Sequence, residues 1–131
     1  MSSTQPVLNR TFHASFAEIL ERVPAALKTE GFGVLTTIDI KATMKAKLDV
    51  ELPAYTILGA CNPKMAYRAL SIDPTVGVNL PCNVVVRDLG GGQVEVRAVD
   101  PMQTMAGSGR TDLREVAGQV REMLARAIAA M

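Results

Sequence analysis

The sequence predicts an α+β fold: a mixed, largely antiparallel sheet with helices packed mainly on one face. Three observations carry this reading. Short runs rich in β-branched residues alternate with stretches whose apolar residues recur at helical spacing, so strands and helices interleave along the chain. After the Gly90-Gly91-Gly92 turn, QVEVRAV alternates strictly, with Val94, Val96 and Ala98 on one face and Glu95 and Arg97 on the other, as in a half-exposed hairpin strand. From Thr111 onward, Leu113, Val116, Ala117, Val120, Leu124, Ala127 and Ile128 form a seam long enough to cover one sheet face. The predicted order is βαβαβαββα. A doubly wound parallel sheet is the competitor, and the alternation of QVEVRAV and its short hairpin argue against it.

Taken in order, residues 1–6 are polar and expected to be loose, and VLNRTFHA has the content of a first strand. Ser15 with Glu18 three residues later forms a capping box, and Phe16, Ile19, Leu20, Val23, Ala26 and Leu27 follow on one helical face until Gly31. Pro24 lies inside that helix and predicts a kink or a locally irregular turn. FGVLTTI reads as a second strand, with Asp39 as N-cap of a second helix that repeats Ile40, Met44 and Leu48 and carries Lys41, Lys45 and Lys47 on its other side. YTILGAC, short and mostly apolar, is expected to be a strand covered on both faces. Asn62 and Pro63 then start a third helix together, as N-cap and first-turn proline. Asp73-Pro74 breaks it and restarts a short turn, and Pro81 forces an extended entry into CNVVVRD. Asp100-Pro101 ends the hairpin, and MQTMAGSG is expected to be a loop.

With 131 residues, the chain is expected to fold as one domain, 1–131, and to remove roughly two-thirds of its unfolded surface from water without a staple. Its 14 basic and 13 acidic groups show no bias, and phosphate-binding surfaces need clustered Lys and Arg, so nucleic acid is not expected as a partner. No apolar stretch reaches spanning length and the N-terminus lacks a secretion signal, so no membrane partner is expected and the expected location is cytoplasmic. Cys61 and Cys82 should then stay reduced and unbridged, and their spacing matches neither a zinc nor a Cys-x-x-Cys motif. With His13 as the single histidine, neither a metal nor a cofactor is expected.

LTTIDIKATMKAKLD, YTILGACNPKMA, LPCNVVV and AVDP together resemble the bacterial and archaeal family known as domain of unknown function number three hundred and two, over nearly the whole chain. ILGACNP and LPCNVVV are specific in combination. The resemblance implies a compact fold similar to the TATA-binding-protein class and a homodimer, and it brings no activity. The chain departs from the family pattern at Pro24 and at Asn79, where an apolar residue is usual.

Candidate chemistry centres on Cys61, at a strand end just before a helix N-terminus, where N–H groups and the helix dipole favour a thiolate. It is the catalytic candidate if there is one. Inert packing is the competing account for Cys61 and still more so for Cys82. Asn62 and Asn83 could orient a ligand by their amides, although a cap and a strand-end backbone bond account for each. Asp39 caps the next helix in the equivalent place, followed by Lys47 on the basic stripe. If one sheet rim gathers Cys61, Asn62, Asp39, Lys47, Cys82 and Asn83, a small molecule would bind there. Two functions follow: a small cytoplasmic non-catalytic binding module holding a small molecule or partner near Cys61 and Asn62, or a thiol-dependent enzyme or redox sensor using Cys61. The expected core comprises Leu20, Ile57, Leu58, Val84, Val85, Val86, Val96, Val120 and Leu124.

Overall fold

A computed structural model describes residues 8–105 and 110–131. The 1–6 segment and the second half of MQTMAGSG lie outside the described residues. The elements are β1 (Asn9–His13), α1 (Phe16–Thr29), β2 (Gly33–Asp39), α2 (Ile40–Leu48), β3 (Tyr55–Cys61), α3 (Pro63–Ile72), a 3-10 helix (Pro74–Asn79), β4 (Cys82–Gly90), β5 (Gln93–Ala98), α4 (Pro101–Thr104) and α5 (Thr111–Ala129). The five strands form one sheet in the order β1-β5-β4-β3-β2, and every neighbouring pair is antiparallel.

Local chemistry sets most boundaries. Ser15 Oγ accepts from the Glu18 N–H at 3.2 Å, Asp39 Oδ1 from Ala42 N–H at 2.9 Å and Asn62 Oδ1 from Met65 N–H at 3.3 Å, so each expected cap is in place. α1 ends in a Schellman motif: Gly31 sits at φ 86°, its N–H bonds the Lys28 carbonyl, and the Phe32 N–H reaches back to Leu27. Only glycine takes that left-handed position without strain. α1 continues through Pro24 to Thr29. The loop expected after Asp100 instead opens with α4, because Asp100 Oδ1 caps Met102 N–H at 2.9 Å and Pro101 occupies the first turn, the same Asx-Pro device that starts α3.

The strand period of two divides the sheet into two unlike faces. Phe12, Leu58, Ala60, Cys82, Val84, Val86, Val94, Val96 and Ala98 point to the side covered by α1, α3 and α5, where Ile19, Leu27, Met65, Val116, Val120 and Leu124 complete one core. Arg10 ties β1 to the end of α5, donating to the Ile128 and Ala129 carbonyls at 3.2 and 3.0 Å, where a cation also opposes the helix dipole. The other face carries Ile57 and Val85, half-buried, with Ile38 beside them, 45% exposed. Two expectations are corrected here. Among the described residues β3 is buried on its core face and half-buried at Ile57 on the other, and Ile57 and Val85 stand on the opposite face from the core because each lies one residue out of phase with Leu58 and Val84. Leu20, at the margin of α1, is half-buried and packs against the core.

α2 carries the expected repeat of Ile40, Met44 and Leu48 without packing it into the core. None of its residues is buried, and Leu48 is 67% exposed. Two lysines of its basic stripe have local partners: Lys41 Nζ donates to the Leu52 carbonyl at 2.8 Å, and Lys45 pairs with Asp49 at 2.7 Å and Glu51 at 2.9 Å.

Candidate functional site

The antiparallel pairing of β2 with β3 decides which candidates meet. Gly33 pairs with Cys61 and Asp39 with Thr56, so the start of β2, not its end, lies beside Cys61. Asp39 and the helix it caps are five residues along β3 from Cys61, roughly 17 Å at about 3.3 Å per residue. Lys47 shares a shallow depression with Thr37, Asp39 and Thr43 at that far end. The convergence of Lys47 and Asp39 with Cys61 is therefore absent. It would require both strands to end at the same rim, as in a parallel pair.

His13 is excluded from Cys61 by the same logic. It pairs with Gln93 on β1, three strands away from β3 and toward the Tyr55 end of the sheet. Among the described residues no group of three or more His, Cys, Asp or Glu side chains could hold a metal ion.

At the Cys61 end the sheet and two helices make a groove of about 520 Å³, lined by Lys28 from the last turn of α1, the turn and strand start at 31–35, and Cys61 with Pro63. Cys61 is partly exposed there. Lys28 is the basic residue that sequence reasoning missed. The signal was present: in an antiparallel pair, the α1–β2 connection must lie where β3 ends, and Lys28 sits three residues before the Gly31 turn.

Asn62 holds the site together and has no free amide group for a ligand. Its oxygen takes Met65 N–H, while Nδ2 donates to the Glu30 carbonyl at 3.1 Å and approaches Met123 Sδ at 3.6 Å, tying the α1 end to α3 and α5. The helix terminus is also less open than its sequence implies. Pro63 has no N–H, Met65 bonds the Asn62 side chain and Ala66 bonds the Asn62 carbonyl at 2.9 Å, which leaves Lys64 N–H as the remaining first-turn donor.

Cys82 pairs across from Ala60, buried beneath the helices, and Asn83 pairs across from Gly59 on the opposite, exposed face. Burial pushes the Cys82 thiol up to about 11, with the nearby Cys61 adding to the rise. It therefore stays protonated at neutral pH. The two cysteine-bearing segments meet through their neighbours: Gly59 lies against Thr36 and the Pro81 ring, so that a Cβ at position 59 would stand 2.7 Å from Pro81 Cγ. The glycine of GACNP and the proline of LPCN are thus complementary shapes at one crossing of β2, β3 and β4.

The exposed sheet face carries a separate polar cluster. Glu95, its side chain 11% exposed, accepts from Arg87 Nε at 2.8 Å and Arg97 Nη2 at 3.0 Å. The hydrogen bonds from Arg97 and then Arg87 hold its carboxyl below the ordinary value. No helix of the described residues is long and apolar enough to cross a membrane.

No curated protein matches the chain. Among solved structures it is similar to the crystal structure of an uncharacterized conserved protein DUF302 from Bacillus stearothermophilus, with 28% identity and a TM-score of 0.83 over 94% of this chain and 97% of that one. That likeness extends to the arrangement of strands and helices described above. The family model for the domain of unknown function DUF302 matches residues 8–131, which takes in both cysteine segments, the hairpin and α5, and the chain belongs to this family.

Proposed function

We propose that the protein is a small cytoplasmic, non-catalytic binding module, and that its ligand site is the groove beside Cys61. The observation that carries this reading is the groove itself: about 520 Å³, the size of small-molecule clefts, mostly apolar, with Lys28 and Cys61 as convergent polar groups. Cys61, Lys28 and the rim at Gly33 are its contact residues. Asn62 and Cys82 support it from behind, whereas Asp39, Lys47 and Asn83 stand elsewhere. A ligand with an anionic or carbonyl group near Lys28 and an apolar body along Phe32 and Val34 suits this chemistry.

The working unit is a homodimer formed through the uncovered sheet face. Ile38, Ile57 and Val85 occupy directly paired positions on three adjacent strands, an apolar row on the face opposite the core, half-buried at Ile57 and Val85 and 45% exposed at Ile38. Five strands about 4.8 Å apart and about five residues long present roughly 400 Å². The unburied α2, with Leu48 67% exposed, offers further apolar surface toward the ~800 Å² per partner of a standard interface. A second copy supplies the missing cover for both. Sedimentation at micromolar concentration should give a dimer that Val85→Asp converts to monomer; a monomeric wild-type chain would remove this part of the proposal.

The alternative, thiol chemistry at Cys61, is favoured by the partial exposure of that side chain at a helix start. Native-state alkylation separates the two. A binding module's Cys61 reacts with N-ethylmaleimide no faster than an ordinary exposed thiol, while a rate a hundredfold higher assigns the protein to thiol chemistry.

A further inference from the structure

We propose that the small cavity behind Cys61 is a site for one soft monovalent cation of the Cu(I) class, ligated by sulfur. Both cysteines of the chain line this single cavity of about 20 Å³, together with Met65 and Met105. Four separate parts of the fold deliver them: the end of β3, the start of β4, the first turn of α3 and the residue following α4. Three of the four are well covered, with Cys82 5%, Met65 6% and Met105 3% exposed.

The volume suits one water or one ion, and the lining chemistry separates those occupants. A buried water needs two to four polar partners. Among the described residues the one side-chain amide at the cavity, Asn62, has its oxygen on Met65 N–H and its nitrogen on the Glu30 carbonyl and Met123. The remaining walls, such as Phe32, Ala60 and Val120, are hydrocarbon. Thiolates and thioethers, by contrast, are the ligands that select Cu(I), while calcium, magnesium and manganese want oxygen. No carboxylate or imidazole lines the cavity.

Binding is an exchange without change of oxidation state. Each cysteine that coordinates forms a sulfur–copper bond and releases its thiol proton to solvent, so up to two protons leave per Cu(I). Met65 Sδ already has the Arg68 guanidinium 3.9 Å away, which makes Met105 the stronger thioether ligand.

The test is an anaerobic titration of the reduced full chain with Cu(I) in competition with a chromophoric Cu(I) chelator. One equivalent should transfer per chain. Cys82→Ser and Met105→Leu should each weaken binding at least tenfold, and Lys47→Met should leave it unchanged. Met105→Leu conserves volume, so an unaltered unfolding midpoint and near-ultraviolet circular dichroism separate lost ligation from lost fold. The proposal is overturned if no copper leaves the chelator, or if uptake survives both substitutions and depends on Cys61 alone, which is an exposed thiol scavenging copper. The groove reading stands apart from this result, because Met105 does not line the groove.

Discussion

Replacing Gly59 by alanine tests the close crossing of β2, β3 and the approach to β4. A Cβ at that position meets the Thr36 side chain on one side and Pro81 Cγ, 2.7 Å away, on the other, both closer than real Cβ contacts allow. Thr36 can yield by rotating its hydroxyl. Pro81 is a ring whose φ is fixed near −65°, on the residue that delivers Cys82 to β4, so relief on that side requires the strands to separate by several tenths of an ångström. Overpacking of this kind costs about 1–3 kcal/mol. For a chain of this length each kcal/mol lowers the midpoint by roughly 3–6 °C. Gly59→Ala should therefore lower ΔG of urea unfolding by about 1–3 kcal/mol, and Thr36→Ala in the same chain should restore part of it, since the Thr36 contact is removed and the Pro81 contact stays. A Gly59→Ala protein as stable as wild type to within about 0.5 kcal/mol, or full restoration by Thr36→Ala, would refute the reasoning that Pro81 packs against Gly59 as a rigid wall.

The other predictions concern titrating groups and the helix start. Glu95→Gln should cost about 1 kcal/mol at pH 7, the exposure of Arg87 and Arg97 keeping the effect small. Because the folded carboxyl binds its proton less readily than the unfolded one, that contribution is full above the ordinary value of 4.5 and fades as pH falls below it, so urea titrations of the two proteins should draw together as the pH is lowered through the acid range. Cys82 runs the other way: its thiol near 11, against 9.0 ordinarily, means that stability is lost as pH rises from 9 through 11, approaching roughly 2–3 kcal/mol above that range relative to Cys82→Ala. Asn62→Ala removes a cap and the tie to Glu30 together and should destabilise by about 2 kcal/mol in thermal unfolding.

Features set by a few adjacent residues are legible in the sequence itself. Ser15, Asp39 and Asn62 announce their helices because a cap is a contact over three residues, and the glycine turn with QVEVRAV announces its hairpin for the same reason. α4 carries an equally local signal in Asp100-Pro101, which also reads as the end of a strand. The candidate site failed where the contact was distant. Strand-end composition is the same in parallel and antiparallel pairs, so nothing in FGVLTTID or YTILGAC shows that Asp39 and Cys61 point to opposite ends of the sheet. Ile57 and Val85 are ambiguous for another reason: an apolar run is the same whether a strand is buried on both faces or only half-buried on one of them.

The groove beside Cys61 is tested most directly by filling it. Gly33 lies on its rim, and a Cβ there meets no other atom within 4 Å, so Gly33→Leu adds its side chain from open space beside the groove. Thermal-shift screening of small carboxylates, carbonyl compounds and other metabolites against the wild-type protein should yield a ligand that raises the unfolding midpoint by mass action. The account predicts that Gly33→Leu abolishes that rise while its unliganded midpoint stays within about 2 °C of wild type, a change below about 1 kcal/mol. A ligand shift of undiminished size in Gly33→Leu would contradict it, because the ligand would then be bound somewhere other than this groove.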